Sequence, residues 1–219
     1  MYNWLLEIKI LLSEAEKQHQ VTDLVEAMGL GRAGVRIERI EEVERLLKFT
    51  FPPSLKQLYL HFNGIGDHEE STELMSLEEL VIFNQEWVPF EPFDHTIILD
   101  RDHPDDFYHG KPKHWLAFFP AEYGATVYCL DTEKKPEMPI MHYDPEFDHD
   151  KLSPDYPSIK AYLLQKMNEK ADEIYDCFDG SEVGEALLEQ VIAMTEKECL
   201  RHGERLEEMW DSDWEKWEH

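Results

Sequence analysis

The residues best placed to do chemistry run from His142 to Asp150. In His142-Tyr143-Asp144-Pro145-Glu146-Phe147-Asp148-His149-Asp150, a carboxylate stands at every second position from Asp144 onward. Such spacing suggests a calcium loop, but an EF-hand needs Gly at its sixth position and a bidentate Glu at its twelfth. Counted from Asp144, those places hold His149 and Asp155, so the EF-hand reading fails. On a strand His142 and Asp144 would point to one side, which leaves a zinc or manganese ion as the remaining metal reading. An acidic loop after a strand is more often simply solvated. The sequence is therefore read as holding no metal and calling for no cofactor.

Catalytic templates are missing. There is no Gly-x-Ser-x-Gly, His-Glu-x-x-His, Walker-type Gly-rich loop or Cys-x-x-Cys. Carboxylates are so abundant that any pair of them is an unspecific acid–base signal, and 11 His residues make Cys–His pairings equally cheap to imagine. Cys129 lies in a strand-like run and reads as a small buried hydrophobe. The chain is read as a non-enzyme.

Charge points to binding instead. The chain carries 48 acidic and 21 basic residues, a formal net charge of −27. That argues against a nucleic-acid binder, which needs a basic surface to hold phosphates. It favours cationic partners, drawn in by long-range attraction. The excess is uneven: residues 1–34 are net −2, residues 35–166 net −13 and residues 167–219 net −12. Two loops gather acids at the ends of predicted strands, where binding residues are often placed. Asp102, Asp105 and Asp106 lie in the first, and Asp144, Glu146 and Asp148 in the second. Tyr108, Trp115, Glu122 and Tyr123 flank the intervening strands. Aromatic anchors dominate binding hot spots while rim charges steer encounter. The expected interface is therefore Asp102, Asp105, Asp106, Tyr108, Glu122, Tyr123, Asp144, Glu146 and Asp148.

Cys129, Cys177 and Cys199 are odd in number and widely spaced, which argues for a reducing compartment. The start has no basic segment before an apolar run, and no apolar run approaches the roughly 20 residues of a membrane span. The expectation is a cytoplasmic protein, bound to neither membrane nor nucleic acid. Its oligomeric state is left open.

The elements that would position these loops are legible as periodicities. In Phe51-Pro52-Pro53-Ser54-Leu55-Lys56-Gln57-Leu58-Tyr59-Leu60-His61-Phe62-Asn63-Gly64, proline suits a first helical turn. Leu55, Leu58, Tyr59 and Phe62 then make one apolar stripe, and Asn63-Gly64 is expected to end the helix. Ile37, Ile40, Val43, Leu46 and Leu47 predict a preceding helix. Residues 65–75 read as a polar loop. Ser76 and Glu79 form a capping box for a helix faced by Leu77, Leu80 and Val81. Thr96–Leu99 reads as a short strand. Trp115–Phe119, Thr126–Leu130 and Pro139–Tyr143 predict an antiparallel meander. Pro157 opens a helix with Ile159, Tyr162, Leu163 and Met167 on one face, suited to cover the sheet.

At the ends, residues 3–28 read as one amphipathic helix, with Leu5, Ile8, Leu12 and Ala15 on its stripe, closed by the Gly29–Gly34 segment. Near the other end Gly180 and Gly184 predict a break. Leu187, Leu188, Val191, Ile192 and Thr195 mark a helix, and Leu206, Trp210, Trp214 and Trp217 continue an apolar stripe.

The Glu-rich helix, the proline corner, the short helix and its Asn-Gly end together resemble the SUKH superfamily, which includes fungal cell-wall-synthesis regulators and bacterial immunity proteins. Glu38–Glu44 match the first helix, Phe51-Pro52 stands where Leu-Pro is usual, and Asn63-Gly64 matches the end. Ile65 replaces a second Gly. The resemblance covers about residues 35–167. It implies an α+β fold, an antiparallel β-meander flanked by helices, and here extra N- and C-terminal helices. The expected organisation is an N-terminal helix (1–34), the SUKH-like domain (35–167) and an acidic helical extension (168–219). The resemblance also implies a non-enzymatic immunity protein that neutralises a cognate bacterial toxin. Charge suggests that the toxin is basic, a nuclease being the natural case. A regulatory or scaffold protein with an endogenous partner is the alternative.

Overall fold

The computed structural model describes residues 2–66, 72–84, 97–98, 107–108, 115–120, 127–131, 139–143, 156–178 and 180–201. The fold is α+β, as expected. The chain forms two compact units. One is Arg32–Tyr162, here the central unit; the other, the terminal unit, is built from Met1–Gly31 and Leu163–His219. The two ends of the chain thus contribute to one unit. No helix among the described residues is long and apolar enough to cross a membrane.

In the central unit, α3 (Ile37–Leu47) buries Ile40, Val43 and Leu47. Ile37 and Leu46, counted on the same stripe from sequence, are exposed instead. Ile37 is the first residue of the helix, and Leu46 falls about 120° away from Ile40 at 100° per residue. The next helix, α4 (Pro53–His61), starts on proline and fully buries Leu55, Leu58 and Tyr59, with Phe62 just beyond it. Each such side chain contributes about 1.5–3 kcal/mol by leaving water.

The end of α4 differs from expectation. Phe62 is already extended, with φ −140° and ψ 121°. Gly64, at φ +100°, therefore serves a turn two residues later and is not the residue closing the helix.

Residues 65–75 hold a short antiparallel ladder where a polar loop was expected. β1 (Ile65–Gly66) pairs with β2 (Thr72–Leu74), with a register shift between Ile65 and Gly66. Ile65, Leu74 and Met75 are buried. The buried Tyr59 hydroxyl donates to the Met75 carbonyl at 2.8 Å, and the Met75 N–H donates to Phe118 O at 3.2 Å. The capping box is present at the head of α5 (Leu77–Ile82), which buries Leu77 and Leu80.

The predicted strand near Ile97 is β3 (Ile97–Ile98). It pairs antiparallel with β4 (Phe107–Tyr108), a strand not anticipated from sequence. The meander is β5 (Trp115–Pro120), β6 (Val127–Asp131) and β7 (Ile140–Tyr143), antiparallel in the order β5-β6-β7. Leu116 faces Leu130 and Cys129 faces Met141, while the register shifts between Ala117 and Phe119. Tyr156 bridges Ile140 through two backbone hydrogen bonds. It also meets Tyr162 edge-on at 5.0 Å, and Tyr162 meets Phe118 edge-on at 5.6 Å. These contacts seat the start of α6 (Ile159–Lys170) against the sheet. Cys129 is buried within that sheet and in no disulfide, the small buried hydrophobe read from sequence.

The terminal unit is helical. The predicted helix 3–28 is divided into α1 (Asn3–His19) and α2 (Leu24–Ala27), with Gln20 and Asp23 in left-handed conformations between them. The stripe Leu5, Ile8, Leu12 and Ala15 is buried. α7 (Asp172–Cys177) and α8 (Glu182–Arg201) follow, and Leu187, Val191 and Thr195 are buried on α8. Gly184, expected to break the helix, lies inside α8. A Cβ there would come within 2.8 Å of the Phe178 Cβ and 3.5 Å of the Tyr175 Cα. Its missing side chain lets the α7–α8 connection approach closely, a use of Gly distinct from helix breaking. The Leu206, Trp210, Trp214 and Trp217 stripe lies outside the described residues.

Candidate functional site

The motif that carries the resemblance is built around Asn63 and Gly64. The Asn63 N–H donates to Ala33 O at 3.1 Å. Its side-chain oxygen accepts from the Leu77 N–H at 3.0 Å, and its side-chain nitrogen donates to Glu78 at 3.1 Å. Asn63 thus ties the end of α4 to the head of α5. Gly64 is enclosed: an added Cβ would lie 2.6 Å from Arg32 Nη1, 2.9 Å from Leu74 O and 3.0 Å from Ser76 N. At φ +100° any other residue would also be strained.

Charges around this turn are matched. Arg32 Nη1 donates to Glu79 Oε2 at 2.9 Å, and the Ser76 N–H donates to the same oxygen at 2.6 Å. Burial alone would push the Glu79 carboxyl up, but Arg32 and Ser76 together outweigh it and hold the group at about 2. Arg39 donates to Glu78 at 2.9 Å and to Glu42 at 2.6 Å. Burial works against the charged Glu78 as well, yet Asn63 and Arg39 lower it overall. Burial, with the Glu79 and Glu78 charges behind it, pushes the Tyr59 phenol up, keeping it a neutral donor to Met75.

A second lock holds the proline corner. One Glu44 oxygen accepts from the Phe51 N–H at 2.5 Å, and the carboxylate pairs with Lys56 at 2.8 Å. Phe51 then stacks on Tyr59 at 6.0 Å. Asn84, fully buried at the end of α5, accepts from the Ala117 N–H at 3.1 Å and donates to Ala117 O at 2.6 Å, imitating a strand along β5. Sequence reasoning missed Arg32 and Asn84, because both act through partners distant along the chain. The motif is a structural lock in which Asn63, Ser76, Glu78 and Glu79 find their partners close by.

The expected interface residues are placed as follows. Tyr108 stands in β4, where its backbone pairs with Ile97. Asp102, Asp105, Asp106, Glu122, Tyr123, Asp144, Glu146 and Asp148 lie outside the described residues, as does the acidic run from Asp144 to Asp150. The described strands flank them: β3 precedes and β4 follows the first loop, Glu122 and Tyr123 join β5 to β6, and the last loop follows β7. Among the described residues no three His, Cys, Asp or Glu side chains gather as a metal site would require.

No curated protein matches the chain. A family model does match, over residues 34–165, more than half of the chain; that span contains the meander, the proline-corner lock and all of the Asn63 lock except Arg32 and Ala33. The chain belongs to the SMI1 / KNR4 family (SUKH-1).

Proposed function

We propose that the protein is a non-enzymatic immunity protein that holds a basic toxin domain, a nuclease by preference, inactive in the cytoplasm of the producing cell. The observation that carries this reading is membership of the SMI1 / KNR4 family, which supports a protein-binding role of immunity or regulatory type. The net charge of −27 supports the sign of the partner. Toxins that attack nucleic acid need basic surfaces to hold phosphates, and an acidic inhibitor can cover such a surface while gaining association rate by steering.

In this reading the partner is held by Asp102, Asp105, Asp106, Tyr108, Glu122, Tyr123, Asp144, Glu146 and Asp148. The loops joined to β3, β4, β5, β6 and β7 would present them. The reading needs no cofactor, no nucleic acid and no membrane. The regulatory alternative, binding to an endogenous partner, draws on the same family membership.

The experiment is a titration of the protein against the toxin domain encoded beside its gene, with toxin activity as readout. Inhibition should be complete at one equivalent, and the recovered toxin should be chemically unchanged. Inhibition by substoichiometric amounts, or a covalently altered toxin, would show an enzyme. No inhibition, together with a stable complex in cells lacking the toxin gene, would favour the regulator.

A further inference from the structure

We propose that Asn63 is a modification site: a deamidation switch that its own lock keeps shut, and whose product keeps the turn from closing again. Asn-Gly occurs once in the chain, at Asn63-Gly64; the other asparagines precede Trp4, Gln85 and Glu169. The proposal does not depend on the nature of any partner.

The fold requires both residues of this pair. Gly64 is at φ +100°, and a Cβ there would meet Arg32 Nη1 at 2.6 Å, Leu74 O at 2.9 Å and Ser76 N at 3.0 Å, so only Gly fits. Position 63 needs a side chain that accepts from the Leu77 N–H at 3.0 Å and donates to the Glu78 carboxylate at 3.1 Å. A carboxamide does both, whereas a carboxylate has no donor. The demands of the turn therefore place an amide beside an unhindered backbone nitrogen.

That pairing has a chemistry of its own. The Gly64 nitrogen can attack Cγ of Asn63; the N–Cγ bond forms and the Cγ–Nδ2 bond breaks. The Gly64 proton is lost to solvent, and Nδ2 takes up a proton and leaves as ammonia. The resulting five-membered imide is opened by water. Cleavage at Cγ gives an aspartyl residue, and cleavage at the main-chain carbonyl gives an isoaspartyl residue with the chain running through Cγ. Water is the only co-reactant, and nothing is oxidised or reduced.

The closed turn opposes the first step. The Asn63 N–H is held by Ala33 O at 3.1 Å, and both ends of its amide are held by Leu77 and Glu78. The attacking Gly64 is buried, while Asn63 is only half-buried. Turning Cγ toward the Gly64 nitrogen breaks these bonds, so reaction waits on local opening. Neither product restores the lock. The aspartyl form sets a carboxylate against Glu78 where an amide donor stood, and like charges at that range oppose each other. Arg39, which donates to Glu78 at 2.9 Å, is shared with Glu42 at 2.6 Å. The isoaspartyl form lengthens the backbone by one atom next to the enclosed Gly64. Opening is thus reversible before the reaction and irreversible after it, which makes the turn a timer on the life of the fold.

The test is incubation of the whole chain at neutral pH, with peptide mapping by mass spectrometry to resolve the asparaginyl, aspartyl and isoaspartyl forms. Conversion at Asn63 should be at least about tenfold slower in the folded parent than in the urea-unfolded chain. Glu78→Ala should quicken it about fivefold in the folded protein. Glu78→Gln, whose side-chain oxygen still accepts from Asn63, should stay within about twofold of the parent. Urea titration of each variant separates opening of the turn from global unfolding, and the comparison of folded with unfolded parent needs no variant. Asn63→Asp should lower the denaturant midpoint. Equal conversion in the folded and unfolded parent would overturn the proposal. So would a Glu78→Ala rate that matches the parent's or follows global unfolding alone, or an Asn63→Asp protein as stable as the parent.

Discussion

The turn around Asn63 in the central unit and the α7–α8 corner of the terminal unit are both rich in carboxylates, and they use them in opposite ways. At the first, Glu78 and Glu79, like Glu44 at the proline corner, each meet a cation and at least one N–H donor. At the second, Glu173 and Asp176 meet neither Lys nor Arg among the described residues, and they act on a thiol that burial already keeps neutral. Matched charge specifies how a chain folds, since a buried carboxylate without partners is costly. Unmatched charge on an exposed surface costs stability through self-repulsion and becomes useful when an opposite charge arrives. The difference separates residues that make the fold from residues available to a partner.

Substitutions should respect that division. The largest effect is expected at Gly64. Gly64→Val places a β-branched residue at φ +100° with its Cβ against Leu74 O and Ser76 N. It should lower stability by about 3 kcal/mol or more, as strain and overpacking add, read as a fall in the denaturant midpoint. A Gly64→Val protein that melts as the parent does but loses its partner would move this turn from fold to function.

Glu79→Gln comes next. The carboxyl, at about 2 in the folded protein, sits below its ordinary value near 4.5, so its contribution is fully present above about pH 5 and is lost as pH falls toward 2. The side chain is 37 % exposed, so solvent screening reduces the effect to about 1–2 kcal/mol near neutral pH. Urea titrations at pH 7 and pH 2.5 should show the variant weaker than the parent at the first and nearly equal to it at the second. Ser76→Ala removes one half of the same capping box and should cost about 1 kcal/mol.

The smallest expected effect lies at the other corner. Asp176→Asn should leave stability within about 0.5 kcal/mol, while alkylation of Cys177 at pH 8 should quicken about twofold as one opposing charge is removed. The buried Cys129 and Cys199 should stay unreactive in the native protein. A large loss of stability in Asp176→Asn would place the acidic corner with the structural charges.

What the sequence made legible follows from how local each signal is. The capping box needs only Ser76 and Glu79, three residues apart, and it is present as read. The α4 stripe and the three strands of the meander are periodicities of four to eight residues, and they too are present. β1 and β2 escaped notice because two- and three-residue strands cannot display an alternation. They are held instead by Met75, whose partners Tyr59 and Phe118 are distant in sequence. The division of α1 from α2 rests on left-handed Gln20 and Asp23, types that do not announce such geometry. Gly184 was misread because a Gly that permits close packing and a Gly that breaks a helix are the same letter. Of the partner surface, the sequence indicated charge and aromatic content at the loops. The closeness of Gly180 and Gly184 to Tyr175 depends on how α7 meets α8, which no local pattern encodes.

The central claim is that an acidic protein of this family holds a cationic partner. It is tested most directly by the association rate with the basic toxin domain that the proposed function calls for, measured as salt rises. Over the range from 0.01 to 0.1 M the Debye length shrinks from about 30 Å to about 10 Å. With a net charge of −27 on one side, steering predicts that the rate falls about tenfold or more across that range while dissociation changes little. A rate that stays flat with salt, or a bound partner that is itself acidic, would contradict the account.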